Sequence, residues 1–326
     1  MLQGVLTAIQ NIFRFHKLKI VAVVFFTIVF AILIFPYSDL ADLMTVKVSE
    51  ATNNQVYIQA DSLKFSVSPG LGAKMENVVL ETTSMPTIQA GSIAVSPSLM
   101  SLINQSPNFS ARAEDIFKGN VDLSVSSAGK TRAGNERHEV QIAGQQIALN
   151  ALSEFMREMG LGDLKLQGAI DLSSGLVVDP TFEDQPSGSV NMRINKLVHP
   201  ARSVNSMLGP VPVPEIRLQQ VVGKATIKEG RLSFEQLQLG AEGDELNGTV
   251  TGDIGMNIRK QPDGIVPEFG SYNFQIALNV STNFQKRASL FLGLADAYKT
   301  ATPTGFRYAF RVRGQNTFSP PNISAQ

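Results

Sequence analysis

Histidine and cysteine, which often carry acid–base or metal chemistry, are scarce in this sequence. Its three histidines lie beside an apolar run, in a polar stretch and before a proline, at His16, His138 and His199. No two of them have the spacing of metal ligands, which argues against a zinc or iron site. Cysteine is absent, so thiolate ligands, a cysteine nucleophile and disulfides are excluded.

Serine and phosphate-binding motifs give no stronger indication of catalysis. The sequence contains no G-x-S-x-G, no P-loop and no G-x-G-x-x-G motif. Ser66 and the Ser153-Glu154 pair could be imagined as nucleophiles, but an exposed or helix-capping serine is the better interpretation of both. We therefore predict that the protein is not an enzyme and that it uses no cofactor.

One row of basic residues could instead bind a partner. In FRYAFRVR, residues 306–313, every second position is apolar, and Arg307, Arg311 and Arg313 fall between them. In a strand these arginines point to the same face. They could contact an acidic partner or a lipid headgroup, and the alternative is an ordinary solvated strand face.

A long apolar segment near the start of the sequence is the predicted membrane anchor for the rest of the chain. Residues 20–35, IVAVVFFTIVFAILIF, carry no charge, and only Thr27 is polar. With Leu18 and Tyr37 the run reaches the roughly 20 residues that a helix needs to cross a bilayer. We predict one transmembrane helix over residues 18–37, held in lipid by Ile20, Val24, Phe26, Phe30 and Phe35.

The charges beside this segment predict its orientation. Arg14, Lys17 and Lys19 precede it, whereas aspartates follow it. The positive-inside rule then places residues 1–17 in the cytoplasm and the rest of the chain across the membrane. The alternative is a cleaved signal peptide, but the apolar core is longer than usual and no A-x-A-like site follows it.

Overall composition limits the kinds of partner. Of the 326 residues, 28 are Lys or Arg and 28 are Asp or Glu, so the net charge is zero. No global electrostatic field therefore favours nucleic acid as a partner. Charged residues make up only 17%, and uncharged polar residues are abundant, which suits the exposed faces of a β-sheet.

Beyond the predicted anchor the sequence changes from helical to strand periodicity. Ser38 can cap a juxtamembrane helix over residues 38–52. From 53 to 314 apolar and polar residues alternate in one segment after another, most clearly over residues 246–258, which predicts a β domain. A bulge is predicted near Glu235, where the alternation changes phase.

Several interruptions of this alternation are assigned to other structures. Helices are predicted from Asn150 to Gly160 and over residues 285–299, where apolar residues have helical spacing. Residues 127–138 are interpreted as a polar loop and the proline-rich residues 208–215 as a connector. The tail, residues 315–326, is predicted to be flexible.

The pattern as a whole predicts the fold class. Clean alternation indicates an antiparallel sheet with one apolar and one polar face, because strands of a buried parallel sheet are continuous apolar runs. We predict a mainly β fold in which a long, twisted antiparallel sheet curls over itself, with a few short covering helices and one N-terminal transmembrane helix. The sequence leaves open whether the interior is a packed core or an apolar groove.

Four stretches of the sequence carry a family resemblance, at residues 35–43, 93–125, 230–254 and 306–314. They are FPYSDLADL, IAVSPSLMSLINQSPNFSARAEDIFKGNVDLSV, GRLSFEQLQLGAEGDELNGTVTGDI and FRYAFRVRG. Together they resemble type II secretion system protein N in its delta-proteobacterial long form, and similar units occur in AsmA-like envelope proteins. The resemblance brings no catalytic motif, and the sequence has no lipoprotein or secretin-binding signature.

Two functions follow from the resemblance as competing expectations. The secretion family implies an accessory subunit of the bacterial inner membrane, with a periplasmic β domain that binds other secretion subunits through sheet edges or polar faces. The AsmA-like resemblance implies lipid binding or transfer in an apolar β groove. An open groove lined by apolar side chains favours lipid, whereas a filled core favours the scaffold.

Overall fold

The computed structural model describes most of the chain after residue 44. The described residues are 26–27, 45–50, 52, 54–82, 85–98, 108–131, 133–158, 165–206, 209–261, 264–293, 295–316 and 319–326. Structural statements below concern these residues.

The predicted anchor falls almost entirely outside the described residues. Phe26 is helical and its side chain is exposed. The other anchor residues outside the described ranges are Ile20, Val24, Phe30 and Phe35. Residues 45–50 of the predicted juxtamembrane helix are helical, whereas residues 38–44 lie outside. Within the described ranges, no helix is long and apolar enough to cross a membrane.

Strands make up most of the described chain, and short helices accompany them, so the predicted mainly β class is confirmed. The first nine strands are β1 Val56–Gln59, β2 Ser62–Ser66, β3 Gly72–Thr82, β4 Ile88–Pro97, β5 Phe109–Ile116, β6 Gly119–Lys130, β7 Glu136–Ala148, β8 Gln167–Val178 and β9 Ser187–His199. The others are β10 Arg202–Ser206, β11 Gly209–Val213, β12 Ile216–Lys228, β13 Arg231–Leu239, β14 Leu246–Gln261, β15 Gly264–Ser281, β16 Lys299–Thr302, β17 Gly305–Gly314 and β18 Asn322–Ala325.

One antiparallel sheet of 16 strands contains all of these except β10 and β11. Its order is β1-β3-β4-β5-β6-β7-β8-β9-β12-β13-β14-β15-β17-β16, with β2 paired to β3 and β18 paired to β17. Most neighbours in the sheet are also neighbours in sequence, because short turns can join antiparallel strands. Three connections hold other elements: a helix lies between β7 and β8, the hairpin β10–β11 lies between β9 and β12, and short helices lie between β15 and β16.

Each lateral edge of the sheet consists of two short strands. At one edge β1 and β2 pair with successive parts of β3. At the other edge β16 and β18 pair with successive parts of β17. Short edge strands limit the uninterrupted row of unpaired backbone groups that would otherwise invite aggregation.

β-Bulges adjust the register at several places in the sheet. The pairing of β12 with β13 changes from Lys224 opposite Gln236 to Ala225 opposite Phe234, so Glu235 is the extra residue. The bulge predicted near Glu235 is therefore confirmed. Further shifts occur between β5 and β6, between β7 and β8 and between β8 and β9, and each changes the direction of the residues beyond it.

The helices beside the sheet are α1 Leu149–Glu158, α2 Thr282–Arg287, α3 Ser289–Gly293 and a 3-10 turn at Asp296–Tyr298. The helix predicted from Asn150 is confirmed as α1, whereas the helix predicted over 285–299 is broken into three pieces. The break follows α2, where Ala288 has φ −102° and ψ 14° and leaves helical geometry. At the start of α2 the Ser281 hydroxyl accepts a hydrogen bond from the Phe284 N–H at 3.2 Å.

Buried apolar side chains form two clusters at opposite ends of the sheet. One joins β15 and β17 to α2 and α3 and contains Val280, Phe284, Ala288, Leu292 and Tyr308. The other lies on β2 and β3 and contains Leu63, Met75 and Val78. Burial of these side chains is a main source of stability at each end.

Three connecting segments differ from their predictions. β6 continues to Lys130 and β7 begins at Glu136, so most of the loop predicted over residues 127–138 is strand. Its polar residues are compatible with a strand because one face of an antiparallel sheet can contact solvent. The proline-rich connector supplies β11, which pairs with β10 in a two-stranded hairpin where each strand has one free side and tolerates proline. The tail contributes β18, because backbone pairing with β17 needs no apolar pattern.

Truncating a buried aromatic ring in the cluster that joins β15 and β17 to α2 and α3 should destabilise the fold. Phe284 is 2% exposed, so we expect Phe284→Ala to lower the free energy of unfolding by about 3–5 kcal/mol. Phe291 in α3 is 43% exposed, and Phe291→Ala should cost much less. Denaturant titrations followed by far-UV circular dichroism would measure both. Equal losses from the two variants would contradict this assignment of the core.

Candidate functional site

One face of the sheet carries rows of apolar residues that run across the strands. In the middle row each member stands directly opposite the next one on the neighbouring strand. Its members from β2 to β9 are Leu63, Met75, Ile93, Ala113, Val121, Gly144, Leu172 and Met192. From β12 to β18 they are Gly223, Leu237, Val250, Ile276, Phe310 and Ala325.

Two further rows run across the strands beside the middle row. Their members lie about two and about four residues along each strand from the corresponding member of the middle row. The second contains Phe65, Ala73, Val95, Ala111, Leu123, Ile142, Ser174, Val190, Ala225, Phe234, Gly252, Phe274, Val312 and Ile323. The third contains Pro97, Phe109, Val125, Val140, Leu176, Gly188, Ile227, Leu232, Ile254, Tyr272 and Gly314. We call the three rows the apolar lane.

The apolar lane is half-buried along most of its course. Ala225 and Ile227 are buried, whereas Leu172, Val250 and Ile276 keep intermediate exposure, as most members do. In the described chain the only other sheet is the two-stranded hairpin β10–β11, so no second sheet of comparable size packs on the lane. Because neighbouring strands lie about 4.8 Å apart, the middle row has a contour length on the order of 60 Å.

Helical segments cover the end of the apolar lane at β17. Phe284 of α2 belongs to the buried cluster there, with Phe310 packed against it. Tyr298 of the 3-10 turn contacts Phe310, with ring centroids 6.0 Å apart. Its hydroxyl also donates a hydrogen bond to the Ile323 carbonyl oxygen at 2.9 Å. Helical segments therefore cover part of the lane near β17.

Glycines inside the lane are matched by large neighbours. A Cβ placed on Gly223 would lie 2.8 Å from Met192 Cε and 3.2 Å from Leu237 Cδ1. Those two side chains therefore lean over the glycine from both neighbouring strands and fill the space above it. This pairing of large with small residues keeps the apolar surface continuous where a side chain is missing.

The opposite face of the sheet is polar, and many of its charges are paired. A row of hydroxyl, amide and charged residues includes Ser96, Ser110, Ser124, Gln141, Ser189, Thr226, Ser233, Asp253, Asn273 and Arg313. Five ion pairs cross this polar face, Lys64–Glu76, Lys74–Glu114, Arg112–Asp122, Lys224–Glu235 and Arg231–Asp253. All five are solvent-accessible, so each contributes little to stability.

Hydrogen bonds on the polar face lower the pKa of two carboxyl groups. Glu114 accepts a bond from Lys74 Nζ at 2.8 Å and from Ser92 Oγ at 2.7 Å, and these bonds hold its pKa below the ordinary value. Glu76 has the same kind of environment, with Lys64 and Ser62 as donors, and its pKa is also lowered. Both carboxylates therefore stay ionised in the folded protein at neutral pH.

The predicted basic row lies on the polar face of β17, opposite the apolar lane. Arg307 and Arg313 are exposed, and Arg311 is half-buried. The Arg313 Nε donates a hydrogen bond to Asn273 Oδ1 at 3.3 Å. Because the row and the lane are on different faces of one strand, a lipid lying in the middle of the lane could not reach these arginines with its headgroup.

The remaining candidates for chemistry are not brought together. His138 lies in β7, near the end that leads back to β6, whereas His199 ends β9 at the opposite rim of the sheet. Ser153 is buried in α1, which corrects the expectation that it is exposed or capping, and Ser66 hydrogen-bonds within its own turn. His16 lies outside the described residues. Within the described chain no group of His, Asp and Glu is placed to hold a metal ion.

A cleft beside α1 was not expected from the sequence. It has a volume of 680 Å³ and lies between α1, strands β3 and β4 and the turn between β5 and β6. Phe117 of the turn and Phe155 of α1 meet edge to face, with ring centroids 5.3 Å apart. Asn77 and Asp115 line the cleft with left-handed backbone, at φ 50° and φ 57°. Such conformations depend on tertiary packing and leave no periodic signal.

Comparisons with known proteins give no match. No protein-family model matches the chain, no curated protein matches its sequence, and no solved structure matches its fold. The resemblance to type II secretion system protein N and to AsmA-like proteins therefore rests on the sequence motifs, and it remains a prediction.

The lowered pKa of Glu114 predicts a pH dependence of stability. Because its folded pKa lies below the unfolded value, ionised Glu114 stabilises the fold above about pH 4.3, and this contribution is lost as the pH falls through the folded pKa. We expect Glu114→Gln to flatten the fall in unfolding free energy between pH 5 and pH 3. Denaturant titrations across that pH range would measure the slope.

Glu242 offers a matched control for this experiment, since it is exposed in the turn between β13 and β14. Glu242→Gln should leave the slope of the wild-type protein unchanged. If both substitutions flattened the slope equally, the bonds from Lys74 and Ser92 would not be its cause.

Proposed function

We propose that this protein is a non-enzymatic lipid-binding protein of the bacterial envelope, and that the apolar lane holds acyl chains. The observation that carries the proposal is the continuity of the lane: apolar residues and glycine follow one another across the whole sheet while remaining half-buried. A long, continuous apolar surface that stays partly accessible to solvent is uncommon on soluble proteins and usually marks a binding surface.

The distribution of burial supports a lane that receives a ligand. The two clusters of buried side chains lie at the ends of the sheet, one under α2 and α3 and the other at β2 and β3. Between them most members of the lane keep intermediate exposure, although Ala225 and Ile227 of β12 are buried. An apolar ligand would remove this surface from water and gain the corresponding free energy.

The chemistry of the lane suits acyl chains better than polar ligands. Ser174 and the hydroxyl group of Tyr272 supply its only polar side-chain groups. Same-face residues along a strand are about 6.8 Å apart, so three rows give a strip about 14 Å wide between outer row centres. Recognition there would depend on area and shape rather than on hydrogen bonds.

The start of the sheet suits a membrane-anchored arrangement. Residues 45–50 are helical, and the Thr45 hydroxyl donates a hydrogen bond to the carbonyl oxygen of Ile58 in β1 at 2.8 Å. We propose that residues 18–37 span the inner membrane with residues 1–17 in the cytoplasm, and that the sheet lies in the periplasm. The first strands would then stand nearest the bilayer, where lipid is available.

A second candidate function is that of a scaffold subunit of a type II secretion system, in which the β domain contacts other subunits. The observation that favours it is the arginine row together with the edge strand β18, whose four residues are all exposed. Exposed sheet edges commonly bind extended segments of partner proteins. This role would use the polar face and an edge, and it does not require an occupied lane.

Photo-crosslinking tests the lipid-binding proposal. Val250 and Thr251 are neighbours in β14 with similar exposure, but Val250 belongs to the apolar lane and Thr251 points to the polar face. We expect a photoreactive residue at 250 to form adducts with phospholipid in living cells, and the same residue at 251 to form few or none. Mass spectrometry of the purified adducts would identify the lipid.

Co-purification provides an independent measurement. The detergent-solubilised protein should carry more phospholipid than a control single-pass protein of similar size. Equal adduct formation at both positions, with no enrichment of lipid over that control, would refute an acyl-chain site in the lane.

Affinity purification from cells after mild crosslinking tests the scaffold candidate. We expect recovery of other secretion subunits if the polar face or the β18 edge serves as an interface. The matched comparison is the same purification with the arginine row changed to glutamine. Recovery of envelope lipids without any secretion subunit would count against the scaffold.

A further inference from the structure

The arginine row stands apart from the rest of the polar face in its electrostatics. Between β2 and β14, five basic side chains contact carboxylates across the strands. Among the described residues, Arg307, Arg311 and Arg313 form no ion pair. β17 therefore presents a positive charge that this part of the chain leaves uncompensated.

The neighbours of the row are neutral on both sides. On β15 they are Asn279, Gln275 and Asn273. On the outer side they are Thr300, Ser324 and Asn322. The Nε of Arg311 is buried and has no hydrogen-bond partner within the described chain. A buried guanidinium N–H without an acceptor is costly, and an added carboxylate oxygen would relieve that cost.

The strand beside Arg311 and Arg313 has a free outer edge. β18 pairs with β17 on one side, and among the described residues no strand pairs with its other side. All four of its residues are exposed. Apart from the Ile323 carbonyl oxygen, which accepts a hydrogen bond from the Tyr298 hydroxyl, its N–H and C=O groups that point away from β17 are available to an incoming strand.

We propose that the outer edge of β18 receives an extended acidic segment of a partner protein as an added strand, in which carboxylate and apolar side chains alternate. The carboxylates lie beside Ser324 and Asn322 and face Arg311 and Arg313. The apolar side chain between them lies beside Ile323, which is 37% exposed on the opposite face. This inference goes beyond the proposed lipid site, and it deepens the scaffold candidate by naming the kind of partner that the β18 edge would bind.

The distances allow the charged side chains to meet. An added strand lies about 9.6 Å from β17, two strand spacings away, which an arginine and a glutamate side chain can span together. Ser324 and Asn322 are small enough to let the guanidinium groups pass over β18. A side chain already crosses one strand here: Gln326 Nε2 donates to Gln275 Oε1 at 3.0 Å, with β17 between them.

A protein strand fits this surface better than a lipid bilayer. Arg311 is half-buried on the polar face, and the residues opposite it on both neighbouring strands carry an amide and a hydroxyl rather than apolar side chains that could insert into a membrane. The free backbone groups of β18 also need partners that a strand has and a phospholipid headgroup lacks. Acidic peptide is therefore the occupant that satisfies both the arginines and the edge.

The test uses the full-length chain in detergent micelles and a fluorescein-labelled peptide of alternating glutamate and valine. We expect binding by fluorescence anisotropy at low salt, and at least about a tenfold weaker affinity for the double variant Arg311→Gln/Arg313→Gln. The matched control is Arg307→Gln, since Arg307 lies on the same strand and face but beside β16. It should change the affinity less than about twofold.

Further probes separate strand addition from simple charge attraction. A peptide with N-methylated backbone amides keeps its charges but cannot pair with β18, and it should bind at least about tenfold more weakly. A lysine–valine peptide should not bind. Far-UV circular dichroism would verify that the neutral variants keep the sheet.

Several results would overturn the proposal. Equal weakening by Arg307→Gln would show that only the summed charge matters, and full binding of the N-methylated peptide would exclude strand addition. Binding to phosphatidylglycerol vesicles that depends on Arg311, without binding of the acidic peptide, would assign the row to lipid headgroups instead. Because these readouts do not involve the apolar lane, they can fail while acyl-chain binding at Val250 stands.

Discussion

The alternation of side chains along paired strands is the constraint on which the rest of this structure depends. In an antiparallel pair, residues directly opposite each other lie on the same face. A row stays apolar across the sheet only if every strand keeps its register, because a slip of one residue would exchange the faces. From Leu63 in β2 to Ala325 in β18, the middle row satisfies this condition at every step.

Local corrections maintain this order where a strand would otherwise lose phase. At Glu235 the bulge lets both Phe234 and Leu237 join rows of the lane, although their sequence spacing is odd. Gly223 removes bulk between Met192 and Leu237, and their side chains occupy the space. The continuity of the apolar face is therefore built from register, bulges and size matching together, and no single cluster of residues accounts for it.

Sequence periodicity predicted those features that repeat along the chain. The antiparallel sheet, the one-sided strands and the bulge at Glu235 follow from alternation, and α1 follows from apolar residues at helical spacing. The broken helix after Ser281 could not be predicted, because Ala288 leaves helical geometry where the segment packs on β17. The strand in the tail, residues 322–325, depends on backbone pairing with β17 and needs no side-chain pattern.

The candidate sites also differ in how much of them the sequence could predict. The arginine row could be found from its spacing, but its lack of ion pairs and the burial of Arg311 Nε depend on neighbours distant in sequence, such as Gln275. The cleft beside α1 joins elements from β3 to α1 through left-handed residues such as Asn77, which no periodic rule marks. Where function depends on long-range juxtaposition, the sequence alone identifies the residues but not their environment.

β17 contributes residues to both candidate binding sites. Phe310 and Val312 belong to the apolar lane on one face of this strand, and Arg311 and Arg313 lie on its polar face. A strand added at β18 would satisfy the arginines on one face and would place an apolar side chain beside Ile323 on the other. Such a partner would lengthen the lane by one strand at the end covered by the 3-10 turn. Partner binding and the extent of the apolar surface would then be coupled through backbone pairing, because both depend on the register of the same edge.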